Sequence, residues 1–121
     1  PMVLDILRQV YVHLHDWEAL EKILPQLRRQ NILPEDELNQ LTELLYLKLI
    51  QKAAQAPQPL DAVQAAWSKI PKAWQSKPAL LLEYVDVLER EGAPADAETA
   101  LRRALQSRRH AGLIEALLAE D

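Results

Sequence analysis

Cysteine and phenylalanine are absent from these 121 residues, glycine occurs only twice, and no apolar run approaches the ~18 residues that a membrane-spanning helix needs. Without thiols there is no disulfide framework and no thiolate metal site. Two glycines exclude loop-rich architectures. Positive charge is also in short supply: 14 Lys and Arg against 18 Asp and Glu leave a formal net charge of -4, the wrong sign for a general nucleic-acid binder. Hydroxyl side chains are few, three Ser and two Thr, with no glycine-rich phosphate loop and no nucleophile at a fixed spacing from a base. These absences argue against an enzyme. What remains is 49% apolar and 26% charged, the balance of one globular domain with a single core.

The apolar residues recur at helical spacing throughout, which predicts an all-α chain. The clearest segment starts at Pro78. Counting it as position 1, Leu81 falls at 4, Leu88 at 11, Gly92 at 15, Ala97 at 20, Leu101 at 24, Ala104 at 27 and Leu105 at 28. That is the spacing of a tetratricopeptide (TPR) repeat, a helix hairpin of about 34 residues. A small residue at 20 lets the second helix cross the first closely, and the large residues at 4, 11, 24 and 28 are expected to fill the groove beside it. Gly92 suits the end of the first helix and Pro94 the first turn of the second.

Two further hairpins precede this one, giving expected units at about 2–30, 34–70 and 78–107 and a separate capping helix at 110–120. In the first, Leu4, Leu7, Val10, Tyr11 and Leu14 make an apolar side, Asp16 is a good N-cap, and Leu20, Ile23, Leu24 and Leu27 continue the core. Leu20 and Leu27 put bulk where the repeat prefers small residues, and Pro25 is expected to kink its helix. The middle hairpin is stretched. Placing Val63 at position 20 and Trp67 at 24 leaves nine extra residues, which are assigned to a helix running from Pro34 to about Ala56, the longest expected. Pro57 and Pro59 end it; Leu60, Val63, Ala66, Trp67 and Ile70 line its partner; Pro71 leads to a turn or short helix anchored by Trp74. The last helix carries Leu113, Ile114, Leu117 and Leu118 as a shield for the end of the stack. A chain opening Pro1-Met2-Val3 reads as cut from a longer array. Its outer stripe of Val3, Leu7 and Val10 could then pair with a second copy as a homodimer.

Candidate sites are few. His13 and His15 are two residues apart, whereas ligands on one helix need a spacing of three or four, so no metal site is expected. Arg102, Arg103, Arg108, Arg109 and His110 form a basic cluster, most simply a solvated face near a helix end, alternatively a dock for an anionic lipid surface or an acidic partner. Trp17, Trp67 and Trp74 are expected in hairpin packing, with stacking on a flat ligand such as a porphyrin as the alternative. In stacked hairpins the first helix of each unit lines the concave face. That places Asp5, Gln9, Val12 and His13, then Lys48, Lys52 and Gln55, then Leu82, Asp86, Glu89 and Arg90 on a partner-binding surface of mixed charge. Capture of a C-terminal carboxylate by Lys and Asn is not expected, since Asp5 and Gln9 stand at those positions.

The segments Val10 to Leu20, Ile23-Leu24-Pro25, Trp67-Ser68-Lys69-Ile70-Pro71 and Asp96 to Leu101 follow one another in an order and separation that resemble the C-terminal repeat region of the proteobacterial HemY family. The resemblance implies two transmembrane helices N-terminal to this region, an inner-membrane location and a domain facing the cytoplasm. It also implies an association with haem biosynthesis and porphyrin metabolism without an enzymatic activity of its own. A scaffold for late haem-biosynthesis enzymes is therefore the expected role, with no cofactor. No dinucleotide-binding glycine motif supports a protoporphyrinogen oxidase. The alternatives are a haem or porphyrin carrier, with His13 as axial ligand, and an oligomerisation element.

Overall fold

The computed structural model describes the backbone of residues 2–119 and the side chains of 2–109. Seven helices and no strand are found among the described residues: α1 (Met2–Leu14), α2 (Trp17–Arg29), α3 (Glu35–Ala53), α4 (Pro59–Lys69), α5 (Lys72–Gln75), α6 (Pro78–Arg90) and α7 (Pro94–Ala119). The protein is all-α, built from helical hairpins.

Three helix ends share one device. His15, Asn31 and Gly92, within two residues of the ends of α1, α2 and α6, sit at φ of 58°, 52° and 78°. At each, the next residue's N–H reaches back to a carbonyl five residues earlier: Asp16 to Tyr11 at 2.9 Å, Ile32 to Leu27 at 3.2 Å, Ala93 to Leu88 at 2.8 Å. These are Schellman motifs, which need a left-handed residue to turn the chain out of the helix. Asp16 then caps α2, its carboxylate accepting from the Ala19 N–H at 3.3 Å.

The chain divides into two compact units, Pro1–Leu49 and Ile50–Asp121, and the division falls inside α3. In the first, α1 packs on α2. Trp17, Leu20, Leu24 and Leu27 of α2 meet Leu38 and Leu45 of α3, with Leu4, Tyr11 and Val12 of α1 against them. Leu20 and Leu27 are wholly buried, so their bulk is used as core. Helix α2 passes through Pro25 unbroken, with that residue exposed to solvent.

In the second unit α6 packs on α7, α4 and α5. Val63 of α4 joins Leu81, Tyr84, Val85, Val87 and Leu88 of α6. Ala97, Ala100 and Ala104 approach them along one ridge of α7, with Ala93 of the preceding turn beside them, where small side chains permit close contact. Ala97 is only 2% exposed.

Several expectations need correction. Leu101 and Leu105 do not fill the hairpin groove; both are exposed, Leu105 at 54%. Val10 and Leu14 likewise face solvent, because α1 turns Leu4 and Tyr11 toward the core and leaves its other side bare. The helix after Pro34 stops at Ala53, short of Ala56, and at 19 residues it is exceeded by α7 with 26. No break isolates a capping helix near His110: α7 runs on to Ala119, there being no Pro or Gly-based stop before Gly112. The shield of Leu113, Ile114, Leu117 and Leu118 lies outside the described side chains, as does that of His110.

Candidate functional site

Helix α6 divides its faces cleanly. Leu80, Leu81, Tyr84, Val85, Val87 and Leu88 are buried on one side. Leu82, Asp86, Glu89 and Arg90, spaced by four, three and one, share the opposite side and are all exposed. Leu82 is 63% exposed, an apolar centre among charges. Asp86 and Arg90 pair at 3.5 Å, an exposed contact that fixes little on its own. All four expected residues of this unit therefore lie on one solvent-facing surface.

The expected residues of the first unit behave less uniformly. Asp5 accepts from Arg8 at 2.7 Å and from Gln9 at 3.0 Å. The hydrogen bond from the Arg8 guanidinium holds the Asp5 carboxyl below its ordinary range. Gln9 and His13 are exposed on the same row of α1. Val12 is not a free surface residue, because it packs against the α2 and α3 core. Lys48 of α3 is half-buried. In the second unit Lys52 is exposed on the last turn of α3, while Gln55 lies beyond the helix end, in a turn whose N–H bonds the Lys52 carbonyl at 3.1 Å.

The aromatic residues are engaged with the protein itself. Trp17 is buried and His15 stacks near it, centroids 5.6 Å apart. Trp67 lies against Tyr84 at 4.2 Å with planes within 10°. Burial, followed by the nearby Asp96 charge, pushes the Tyr84 phenol up. The Lys77 ammonium stands 5.6 Å from the Trp74 ring centre. Gln75 donates to the Trp67 and Ile70 carbonyls at 2.9 and 3.1 Å, satisfying the end of α4.

The arginine cluster is partly spent on structure. Arg102 pairs with Glu98 at 2.6 Å, and Arg108 donates to the Ser76 carbonyl at 3.0 Å, tying α7 to the turn before α6. Among the described residues no group of three or more His, Cys, Asp or Glu is placed to hold a metal ion. An open hollow of about 440 Å³ beside the α3–α4 turn is lined by Ala56, Pro57, Gln58, Asp61 and Ala62, with one charged side chain and no convergent set of polar groups.

Comparison with protein-family models, with curated proteins and with solved structures finds no match to this chain.

The bare side of α1 keeps Val3 and Val10 of the expected outer stripe, whereas Leu7 is half-buried and Met2, Ile6 and Leu14 join the exposed set. Met2, Val3, Ile6, Val10 and Leu14 are all exposed, from 41% to 75%. The spacing of four from Met2 to Leu14 was the available signal; it is eclipsed by Leu4 and Tyr11, which meet the core.

Proposed function

We propose that this chain is a non-enzymatic protein-interaction module of the tetratricopeptide type. Its α6 face, Leu82 with Asp86, Glu89 and Arg90, takes a segment of a protein partner. The observation that carries this reading is the sharp separation of faces on α6: a helix whose core side is complete presents an exposed leucine inside a charged surround. An apolar anchor with a polar rim is the composition of a recognition surface. The resemblance to the HemY family supplies the setting. In this reading the domain is held at the bacterial inner membrane by helices N-terminal to it and gathers late haem-biosynthesis enzymes on the cytoplasmic side. Among the described residues no helix is long and apolar enough to cross a membrane, so attachment would rest on those other helices.

The carrier alternative draws less support. One face of Trp67 is already covered by Tyr84, and His13 stands on an exposed helix surface without an apolar pocket for a flat macrocycle.

The test is a pull-down with crosslinking from native membranes, comparing wild type with Leu82→Glu and with a Glu89→Lys, Asp86→Lys double variant. Both alter exposed positions, so the melting temperature should hold while partner recovery falls. Charge reversal at Lys52 provides a second arm on α3. Recovery indifferent to all three would remove the face from consideration. A hemin titration giving a His13-dependent Soret shift would favour the carrier.

A further inference from the structure

Two stretches of the chain carry no Asp or Glu at all, Ala62 to Leu82 and Thr99 to Ile114. The first holds Lys69, Lys72 and Lys77 and the second four Arg, together half of the 14 Lys and Arg in a chain of net charge -4. The second unit folds the two stretches onto one another. Gln75 of α5 donates to the Trp67 and Ile70 carbonyls, the Lys77 ammonium stands by the Trp74 ring, and Arg108 of α7 reaches the Ser76 carbonyl at 3.0 Å. The close of α4, the whole of α5, the start of α6 and α7 at Arg108 therefore meet at one end of the helices. Lys69, Lys72, Lys77 and Arg108 are all exposed there.

The acids gather at the opposite end, where Asp61 opens α4, Asp96 and Glu98 open α7, and Asp86, Glu89 and Glu91 crowd the close of α6. Gln64 donates to Asp96 at 3.1 Å across that end. In α4 and α7 this order complements the helix dipole, acid first and base later, and needs no other reason. Helix α6 runs the other way. Lys77 stands just before its first turn, and every charged residue from Glu83 to Glu91 except Arg90 is acidic, so its charges oppose its own dipole. Helix stability therefore does not account for the separation of charge along this unit.

From this we infer that the positive end, Lys72 and Lys77 between Lys69 and Arg108, docks an acidic segment of a protein partner. Charge complementarity selects an anion, and shape selects a chain segment over a flat anionic surface. Helix α7 does not stop beside Ser76 but runs on from Arg108 to Ala119, about 16 Å of helix, which makes the positive end a corner. A bilayer cannot lie flat in a corner, whereas a chain with closely spaced carboxylates follows one. The α6 face carries Asp86 and Glu89 and repels the same ligand, so this surface goes beyond the α6 reading and does not rest on it.

The test is fluorescence anisotropy of a labelled octaglutamate peptide at low salt, where exposed charges are least screened. The expected result is saturable binding that the Lys69→Glu, Lys72→Glu pair weakens about ten-fold or more, and that the milder Lys69→Gln, Lys72→Gln pair weakens less. Both pairs alter exposed positions and should keep the helical spectrum and melting temperature. The Lys22→Glu, Arg29→Glu pair makes the same change of net charge in the first unit and should bind within about two-fold of the unaltered chain. Absence of peptide binding overturns the inference, and so does equal weakening by the two Glu pairs, which would trace binding to net charge alone. Vesicles containing phosphatidylglycerol and a DNA duplex are titrated alongside. If either binds more tightly than the peptide and is released by the Lys69→Glu, Lys72→Glu pair, the end belongs to a lipid surface or a nucleic acid and the inference is likewise overturned. Partner recovery by the α6 variants enters none of these outcomes, so the two readings fail separately.

Discussion

Trp67 of α4 and Tyr84 of α6 lie nearly parallel with ring centroids 4.2 Å apart, joining two helices that are 17 residues distant in sequence at those positions. Around them the second unit gathers Val63, Leu81 and Leu88. Truncating Trp67→Ala removes the stack and part of the packing beneath it. Because Trp67 is only half-buried, the expected loss is roughly 2 to 3 kcal/mol, below the range for a fully buried tryptophan. A loss of unfolding free energy below about 1 kcal/mol in denaturant titration would show that α4 is not held by this pair.

Tyr84 also gives a pH dependence with a definite sign. Burial raises its phenol above the ordinary value of 10, so the folded chain keeps a proton that the unfolded chain gives up first. The associated stability is complete below pH 10 and is lost as pH rises through the folded value. Tyr46 is raised in the same direction, by burial and then by the Glu21 charge. Tyr84→Phe should therefore flatten the alkaline fall of the melting temperature without abolishing it. An identical fall in wild type and variant would place the Tyr84 hydroxyl in contact with water.

Helix existence, the proline and glycine punctuation, and the small residue at Ala97 were all legible in the sequence. Each follows from local chemistry: helical spacing, a fixed φ at proline, and the one side-chain size that lets α7 approach α6. Exposure was less legible. Leu101 and Leu105 have the same residue type and helical register as core leucines, and sequence cannot say which neighbour covers a helix ridge. On α1 two regular apolar rows coexist, and only packing against the core decides that Leu4 and Tyr11 face inward. Of the expected binding residues, the α6 set shares one exposed face, whereas Val12 packs against the core of the first unit.

The α7 ridge yields a paired contrast. Ala97→Leu should destabilise by roughly 1 to 3 kcal/mol through overpacking at the helix crossing. Leu105→Ala, at a position 54% exposed, should stay within about 1 kcal/mol of wild type. Thermal or urea unfolding of the two variants distinguishes them. A larger loss at Leu105 than at Ala97 would mean that the two faces of α7 have been interchanged.

The three left-handed helix ends differ in what occupies them, and that difference can be measured. Gly92 has φ of 78° and open space around the position a Cβ would take. Gly92→Ala therefore meets no neighbour, and its cost is the backbone penalty alone, roughly 1 to 2 kcal/mol for an L residue held in this region. His15 already bears that penalty, at φ of 58°. His15→Gly relieves it, but also removes the stack on Trp17, so the net change should be small and should become clearly stabilising only when Trp17 contributes little to His15. Calorimetric melting of the two variants gives the comparison, and a neutral Gly92→Ala would mean that α6 ends without the turn seen between Arg90 and Pro94.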